Sequence, residues 1–344
     1  MPPAWDDHDG VIQMARCSLA AAVCLAIAAA LDPEKFEVPK YAVDFRNESN
    51  ATVSSSCGPP KRLDDALLAR LYFYAFVTSD DPDLLTHFLD FYETRGVRFD
   101  APGRSRIVVN PPLNRTRLND RRVHRLLTER CRAAYGTNVR ASVDWSSDVK
   151  RDLANSYLAE LPKDSLLMFP DLDEFFDAPP EAISLAAQNY DGFVLGHMVD
   201  RVAHDYRLRA MNRHLGPWAQ FPRRCAATAD RFHAANTKWI LVPARDPGGK
   251  RVAFTSAHHV SGERRFDETF RRMPSLPFSH YRFGGRSYDL LRRKRAVYKA
   301  GANARAHIYD VILSYIDDGA RPILNAKFRK VTRCGLPCPV GVPR

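Results

Sequence analysis

Between Leu71 and Phe169 the chain alternates short apolar runs with segments of helical period, and that alternation narrows the fold more than any other feature. Leu71-Tyr72-Phe73-Tyr74-Ala75-Phe76-Val77 is an aromatic-rich run closed by the polar turn Thr78-Ser79-Asp80-Asp81. Such a run predicts a buried strand and its exit loop. Pro82 then opens a helix in which Leu84, Leu85, Phe88, Leu89 and Tyr92 recur at helical spacing until Gly96. A second strand is expected over 106–110, before Pro111-Pro112, and a second helix over 120–135 with Val123, Leu126, Leu127 and Cys131 on one face. A short third strand over 139–143 follows. The third helix, 147–161, carries the apolar stripe Val149, Leu153, Tyr157 and Leu161, with Arg151 and Asn155 opposite. Leu166-Leu167-Met168-Phe169 closes the series as a strand that runs out at Asp171. Repetition of this kind predicts an α/β domain around a mixed, mainly parallel sheet covered on both faces. The second half is less regular, with strands expected near 192–195, 239–242 and 252–254.

The rest of the chain sets the context. Residues 11–31 are mostly apolar, and 17–31 are interrupted only by Ser18. The clean run is short of the ~20 residues a full span needs. Ala28-Ala29-Ala30 offers a cleavage position, while Asp6, Asp7 and Asp9 give the flank the wrong sign for a signal peptide. The segment 1–31 is read as a signal-anchor or signal peptide, with a buried Ala-rich helix or an incorrect start site as the alternatives. Residues 32–62, rich in proline, serine and charge without a sustained period, read as a linker or stem. The sequons at Asn47, Asn50 and Asn114 agree with a lumenal body. Seven cysteines are present, five of them beyond the apolar segment, an odd number that defines no complete disulfide framework. Cys334 and Cys338 are expected as thiols in a tail, a local pair or metal ligands being the other options. The net charge of +11 suits an anionic partner, but no nucleic-acid-binding pattern accompanies it.

The segment most suggestive of chemistry is Asp171-Leu172-Asp173-Glu174, directly after an apolar strand. Open α/β sheets bind ligands beyond the carboxyl ends of their strands. Two carboxylates one residue apart can reach one hard divalent cation, and such a cation can neutralise a departing diphosphate. Aspartates after strands also cap helices, so position alone leaves both roles open.

The run from Leu166 to Phe176 resembles the metal-binding segment of GT-A-fold glycosyltransferases, nearest to relatives of families 2 and 92 that carry an Asp-x-Asp-Glu-Phe signature. The likeness extends to Arg151 and Asn155, to His197-Met198-Val199-Asp200-Arg201, to Gln220-Phe221-Pro222 and to Phe278-Ser279-His280-Tyr281-Arg282-Phe283. It implies a GT-A-like single catalytic domain over 63–310, a C-terminal extension over 311–344, a nucleotide-sugar donor and Mn²⁺ or Mg²⁺. It also implies a carbohydrate or glycoconjugate acceptor and a Golgi-type location in the secretory pathway, membrane-held through the N-terminal segment if that is uncleaved. By the same resemblance Asp171 touches the donor ribose or the metal, Asp173 is the principal metal ligand and His280 completes the shell. Thr78, Asp80 and Asp81 lie where this fold grips the base, the N-cap of the helix at Pro82 being the other reading, and Arg151 and Asn155 face the donor or belong to a solvated helix face. An inverting enzyme needs a carboxylate base, for which Asp200 is one option and Asp267 or Glu268 are others. Two rivals stand beside this: a metal-dependent phosphoryl-transfer enzyme or nuclease, and a non-catalytic lumenal binding protein of the same fold.

Overall fold

The computed structural model of the chain describes residues 60–110, 117–140, 147–225, 237–256, 259–261, 273–284, 287–300, 306–317, 323–331 and 334. The N-terminal apolar segment, nearly all of the stem, the three sequons and Asp267 and Glu268 lie outside them. Among the described residues no helix is long and apolar enough to cross a membrane.

Helix α1 (Asp65–Arg70) leads into β1 (Leu71–Thr78), which is followed by α2 (Pro82–Thr94), β2 (Ser105–Asn110) and α3 (Arg117–Cys131). A one-turn helix α4 (Tyr135–Asn138) precedes β3 (Val139–Arg140), and α5 (Ser147–Glu160) precedes β4 (Leu166–Met168). β1 pairs in parallel with β2 and with β4, and β2 pairs in parallel with β3. The order β3-β2-β1-β4 therefore reverses direction between β1 and β4. Ligands of open α/β sheets bind at such a switch point.

Beyond β4 come β5 (Glu174–Phe175), α6 (Pro180–Asn189), β6 (Val194–Val202), α7 (Pro217–Gln220), β7 (Arg223–Cys225), β8 (Thr237–Pro243) and β9 (Leu276–His280). β8 is antiparallel to both β4 and β6, so β6 runs in the direction of β4, and β9 runs parallel to β6. The carboxyl ends of β1, β4, β6 and β9 thus share one edge. The molecule is α/β with a mixed central sheet of mostly parallel strands.

Local chemistry explains the elements. β1 is apolar at nearly every position because both its faces are covered. Phe73, Ala75 and Val77 join a core with Leu85, Phe88 and Tyr92 of α2, while Tyr74 and Phe76 join a second core with Ala154, Tyr157 and Leu158 of α5. Burying each such large side chain contributes roughly 1.5–3 kcal/mol. Asp81 caps α2 by accepting from the Leu84 amide at 3.0 Å, with Pro82 at the first helical position. Gly96 ends that region at φ +98, where a Cβ would lie 2.6 Å from Leu68 Cδ1.

Three expectations need correction. The buried face of α5 carries Lys150, Ala154, Tyr157 and Leu158, and Val149 and Leu153 are only partly covered. An apolarity count rotates this helix because it passes over a lysine. The segment 252–254 is not a strand: Phe254 makes an isolated bridge to Val260, and Arg251 just before the segment makes one to Arg245. Cys334 is bonded to Cys225 of β7, 109 residues away, while Cys131 is free and buried.

The C-terminal elements are α8 (Ser287–Ala300), α9 (Ala306–Leu313), the hairpin β10 (Ile316–Asp317) and β11 (Ile323–Leu324), and α10 (Ala326–Val331). Ile312, Tyr315, Leu324 and Phe328 pack with Val202, Leu208 and Phe283 in a third cluster. Helix α9 crosses position 310, and its continuation shares a core with β6.

Candidate functional site

The acidic turn is clamped between two strands. Asp171 bridges to Phe76 of β1, and the Glu174 amide donates to the Asp171 carbonyl at 3.0 Å to close the turn. Glu174 and Phe175 then pair antiparallel with His280 and Ser279 of β9, and the Tyr281 amide donates to the Asp173 carbonyl at 2.7 Å. The bridge to Phe76 puts the turn beside the carboxyl end of β1, where the Thr78 hydroxyl donates to Asp80 Oδ2 at 2.8 Å. Thr78, Asp80, Asp171 and Asp173 therefore gather at the switch point of the sheet.

Two lysines converge on the turn. Lys150 of α5 bonds Asp171 Oδ1, and Lys238 of β8 lies 3.1 Å from Asp171 Oδ2 and bonds Glu174 Oε2. The side chains of Lys150, Lys238 and Glu174 are 6%, 1% and 2% exposed, against 32% for Asp171. Their ammonium groups pass over the Phe169 ring at 4.8 and 5.1 Å. Burial pushes the Asp171 carboxyl up, but Lys150 and Lys238 outweigh it and hold the group far below the usual range. For Glu174 burial wins over Lys238, and its carboxyl is raised. Two cations and two carboxylates balance this half of the turn internally.

The other half is built differently. His280 Nε2 lies 3.3 Å from Asp173 Oδ2, and its Nδ1 is 2.8 Å from Asp200 Oδ1. Asp173 is 35% exposed, His280 2% and Asp200 0%. Burial and Arg282 pull the imidazole down, yet Asp173 and Asp200 outweigh them and raise it to about 9. Burial likewise pushes Asp173 up, and His280 overrides it, leaving the carboxyl far below its ordinary value. One imidazole thus stands between two carboxylates, with the positive charge of Arg282 acting on the same group.

Among the described residues no group of three or more histidine, cysteine, aspartate or glutamate side chains is arranged as a cation cage. Both Asp171 oxygens already face ammonium groups, so Asp171 fits a cation poorly. Asp173 and His280 fit one better. Mg²⁺-type ions are held by one or two carboxylates with water and substrate phosphates completing the shell. A ligating imidazole is commonly oriented by a carboxylate on its other nitrogen, as Asp200 does here.

The remaining expected residues separate from the turn. Arg151 pairs along its own helix with Asp148 at 2.9 Å and Asp152 at 2.8 Å. Asn155 donates to the Phe254 carbonyl at 2.9 Å and accepts from its amide at 2.7 Å, a structural clasp on the 252–254 segment. Neither reaches Asp171; Lys150, one residue before Arg151, does. Asp200, expected as a base open to an acceptor, is enclosed and committed to His280. Its neighbour Arg201 points into the other face and bonds Ser279 Oγ at 2.7 Å and Asp177 Oδ2 at 3.4 Å. Lys150 and Lys238 are the site residues that sequence reasoning missed. The signal for Lys150 is its spacing of four and seven residues from Ala154 and Tyr157. Lys238 stands inside a run, Trp239 to Val242, that is otherwise apolar. No protein-family model matches the chain, and comparison with curated proteins finds no match.

Proposed function

We propose that the chain is a metal-dependent glycosyltransferase of GT-A-like fold, using a nucleotide-sugar donor and a carbohydrate or glycoconjugate acceptor. The observation that carries this reading is the acidic turn at the β1/β4 switch point with His280 and Asp200 behind Asp173. Asp173 and His280 would hold a Mn²⁺ or Mg²⁺ ion, which supplies charge neutralisation for the leaving diphosphate. Asp171, held ionised by its two lysines, would accept from a hydroxyl such as those of a donor ribose. Thr78 and Asp80, beside the turn at the carboxyl end of β1, would meet the base. Asp200 orients His280, which leaves the identity of a base, if the reaction inverts, to another residue.

The Cys225–Cys334 bond supports a secretory-pathway location, since disulfides persist in oxidising compartments. One specific observation favours a second reading, a non-catalytic binding protein of this fold: Asp171 and Glu174 are neutralised by Lys150 and Lys238 without any ion. A screen of UDP- and GDP-sugars with Mn²⁺, scoring transfer or hydrolysis in the wild type and Asp173→Ala, separates the two. Turnover that needs Mn²⁺ and disappears in the variant supports the transferase, whereas donor binding without turnover supports the rival.

A further inference from the structure

The carboxyl end of β6 carries an arginine cluster that the proposed metal site does not use. Residues 203–209 leave β6 and run between the C-terminal hairpin and the loop after β9, bridging at Arg207 to Ile323 and at Arg209 to Gly284. At the centre of this segment Tyr206 is held at φ +62, unusual for a residue with a Cβ, by its amide donating to the Ala203 carbonyl and its carbonyl accepting from the Leu324 amide. Two guanidinium groups lie over its ring, Arg223 of β7 at 4.9 Å and Arg329 of α10 at 5.5 Å. Arg223 Nε is spent on the His204 carbonyl at 2.9 Å, so its terminal nitrogens are the part that remains for a ligand. The one acidic side chain among residues 203–209, Asp205, is engaged by Arg207 and Arg209. Among the described residues neither Arg223 nor Arg329 has a carboxylate partner.

Both guanidinium groups are thus anchored on one aromatic ring, each by a cation–π contact. Cys225, two residues after Arg223, is bonded to Cys334, five residues after Arg329. The same strand position ties this cluster to the metal half of the turn: in the sheet Asp200 is flanked by His280 on one side and Cys225 on the other. Two strand spacings place Cys225 roughly 10 Å from His280. Arg223, paired with Val202, lies two residues further along the same strand from Cys225.

We propose that Arg223 and Arg329, set over Tyr206 at the carboxyl end of β6, form a preorganised oxyanion subsite for an acidic group on the acceptor saccharide. The group is a carboxylate, sulfate or phosphate ester, the anions that arginine forks bind bidentately. This rests on the transferase reading for the word acceptor, and on the arginine geometry alone for the anion.

The test is direct binding to the full chain of a neutral oligosaccharide, its sulfated and uronic-acid counterparts, and inorganic phosphate, without donor. Arg223→Gln/Arg329→Gln is compared with Arg292→Gln/Arg293→Gln, which removes the same charge from α8. Acidic oligosaccharides bind in preference to the neutral one, at least tenfold more weakly in the first double variant and within twofold of wild type in the second. Arg329→Gln alone, on an exposed position, weakens binding at least threefold and serves if the double variant fails to fold. Equal losses in both double variants, no preference for acidic oligosaccharides, or binding of inorganic phosphate only would each overturn the proposal. Asp173→Ala retains acidic-oligosaccharide binding. Absence of donor turnover in the wild type beside intact acidic-oligosaccharide binding counts against the transferase reading and not against the subsite.

Discussion

Lys238→Met is the substitution whose consequence is easiest to work out from the contacts. Lys238 and Glu174 are 1% and 2% exposed, and among the described residues the lysine is the only ammonium group bonded to that glutamate. Methionine keeps most of the side-chain volume and the packing on Phe169, so the loss is mainly one of charge. Removing one partner of a buried pair typically costs about 3–5 kcal/mol, because the other charge is left unsolvated. In a domain of this size that corresponds to a fall in Tm of roughly 6–20 °C. Glu174 has an escape, which is to take up a proton. Its folded pKa is already raised by burial and rises further without Lys238, while the unfolded value stays near ~4.3. The folded variant then binds more protons than the unfolded chain, so its stability falls as pH rises through the folded pKa. The deficit relative to wild type is therefore larger at pH 8 than at pH 5. Adding Glu174→Gln restores most of the loss, since the buried charge is gone. Thermal and urea unfolding of the single and double variants at both pH values measure this. A Lys238→Met protein within about 1 kcal/mol of wild type, or a second substitution that deepens the loss, would refute the reasoning.

The metal-free protein holds His280 as an imidazolium, with a folded pKa of about 9 against an unfolded ~6.5. Its contribution, about 3 kcal/mol by linkage, is complete below pH ~6.5 and is lost as pH rises through 9, so His280→Gln costs more at pH 6 than at pH 10 in unfolding experiments. Mn²⁺ binding must displace that proton, and calorimetric titration should show affinity tightening between pH 6.5 and 9. Cys225→Ser/Cys334→Ser opens a loop of 109 residues and should lower stability by up to about 5 kcal/mol, read by urea unfolding. Asn155→Ala removes both hydrogen bonds to Phe254 and should destabilise by about 1–3 kcal/mol while leaving Mn²⁺ affinity unchanged; a loss of Mn²⁺ binding would contradict its structural role.

The first half of the fold was legible in the sequence because strands with two buried faces are continuous apolar runs, as Leu71 to Val77 and Leu166 to Phe169 are. The position of the acidic turn followed from the same runs. The strand Leu276–His280 was not foreseen: Pro277 and two polar residues disguise it, although all five of its positions are buried. The lysines were missed because apolar periodicity is blind to a charged residue whose alkyl stem lies in the core and whose head finds a buried carboxylate. Arg151 and Asn155 lie on a partly covered side of a helix whose inward face, Lys150 and Ala154, is one residue away. Asp200 stood out as a carboxylate within the resemblance, and only the pairing of β6 with β9 reveals that it faces His280. The Cys225–Cys334 bond joins residues too far apart in the chain for spacing to suggest it.

The central claim is a divalent ion held at Asp173, receiving a nucleoside diphosphate at the switch point. Calorimetric titration of UDP and GDP into the wild type and Asp173→Ala, each with Mn²⁺ and with EDTA, addresses it most directly. Binding is expected only for the wild type with Mn²⁺. Equal affinity in EDTA, undiminished affinity in Asp173→Ala, or no binding of either nucleotide under any condition would contradict the account.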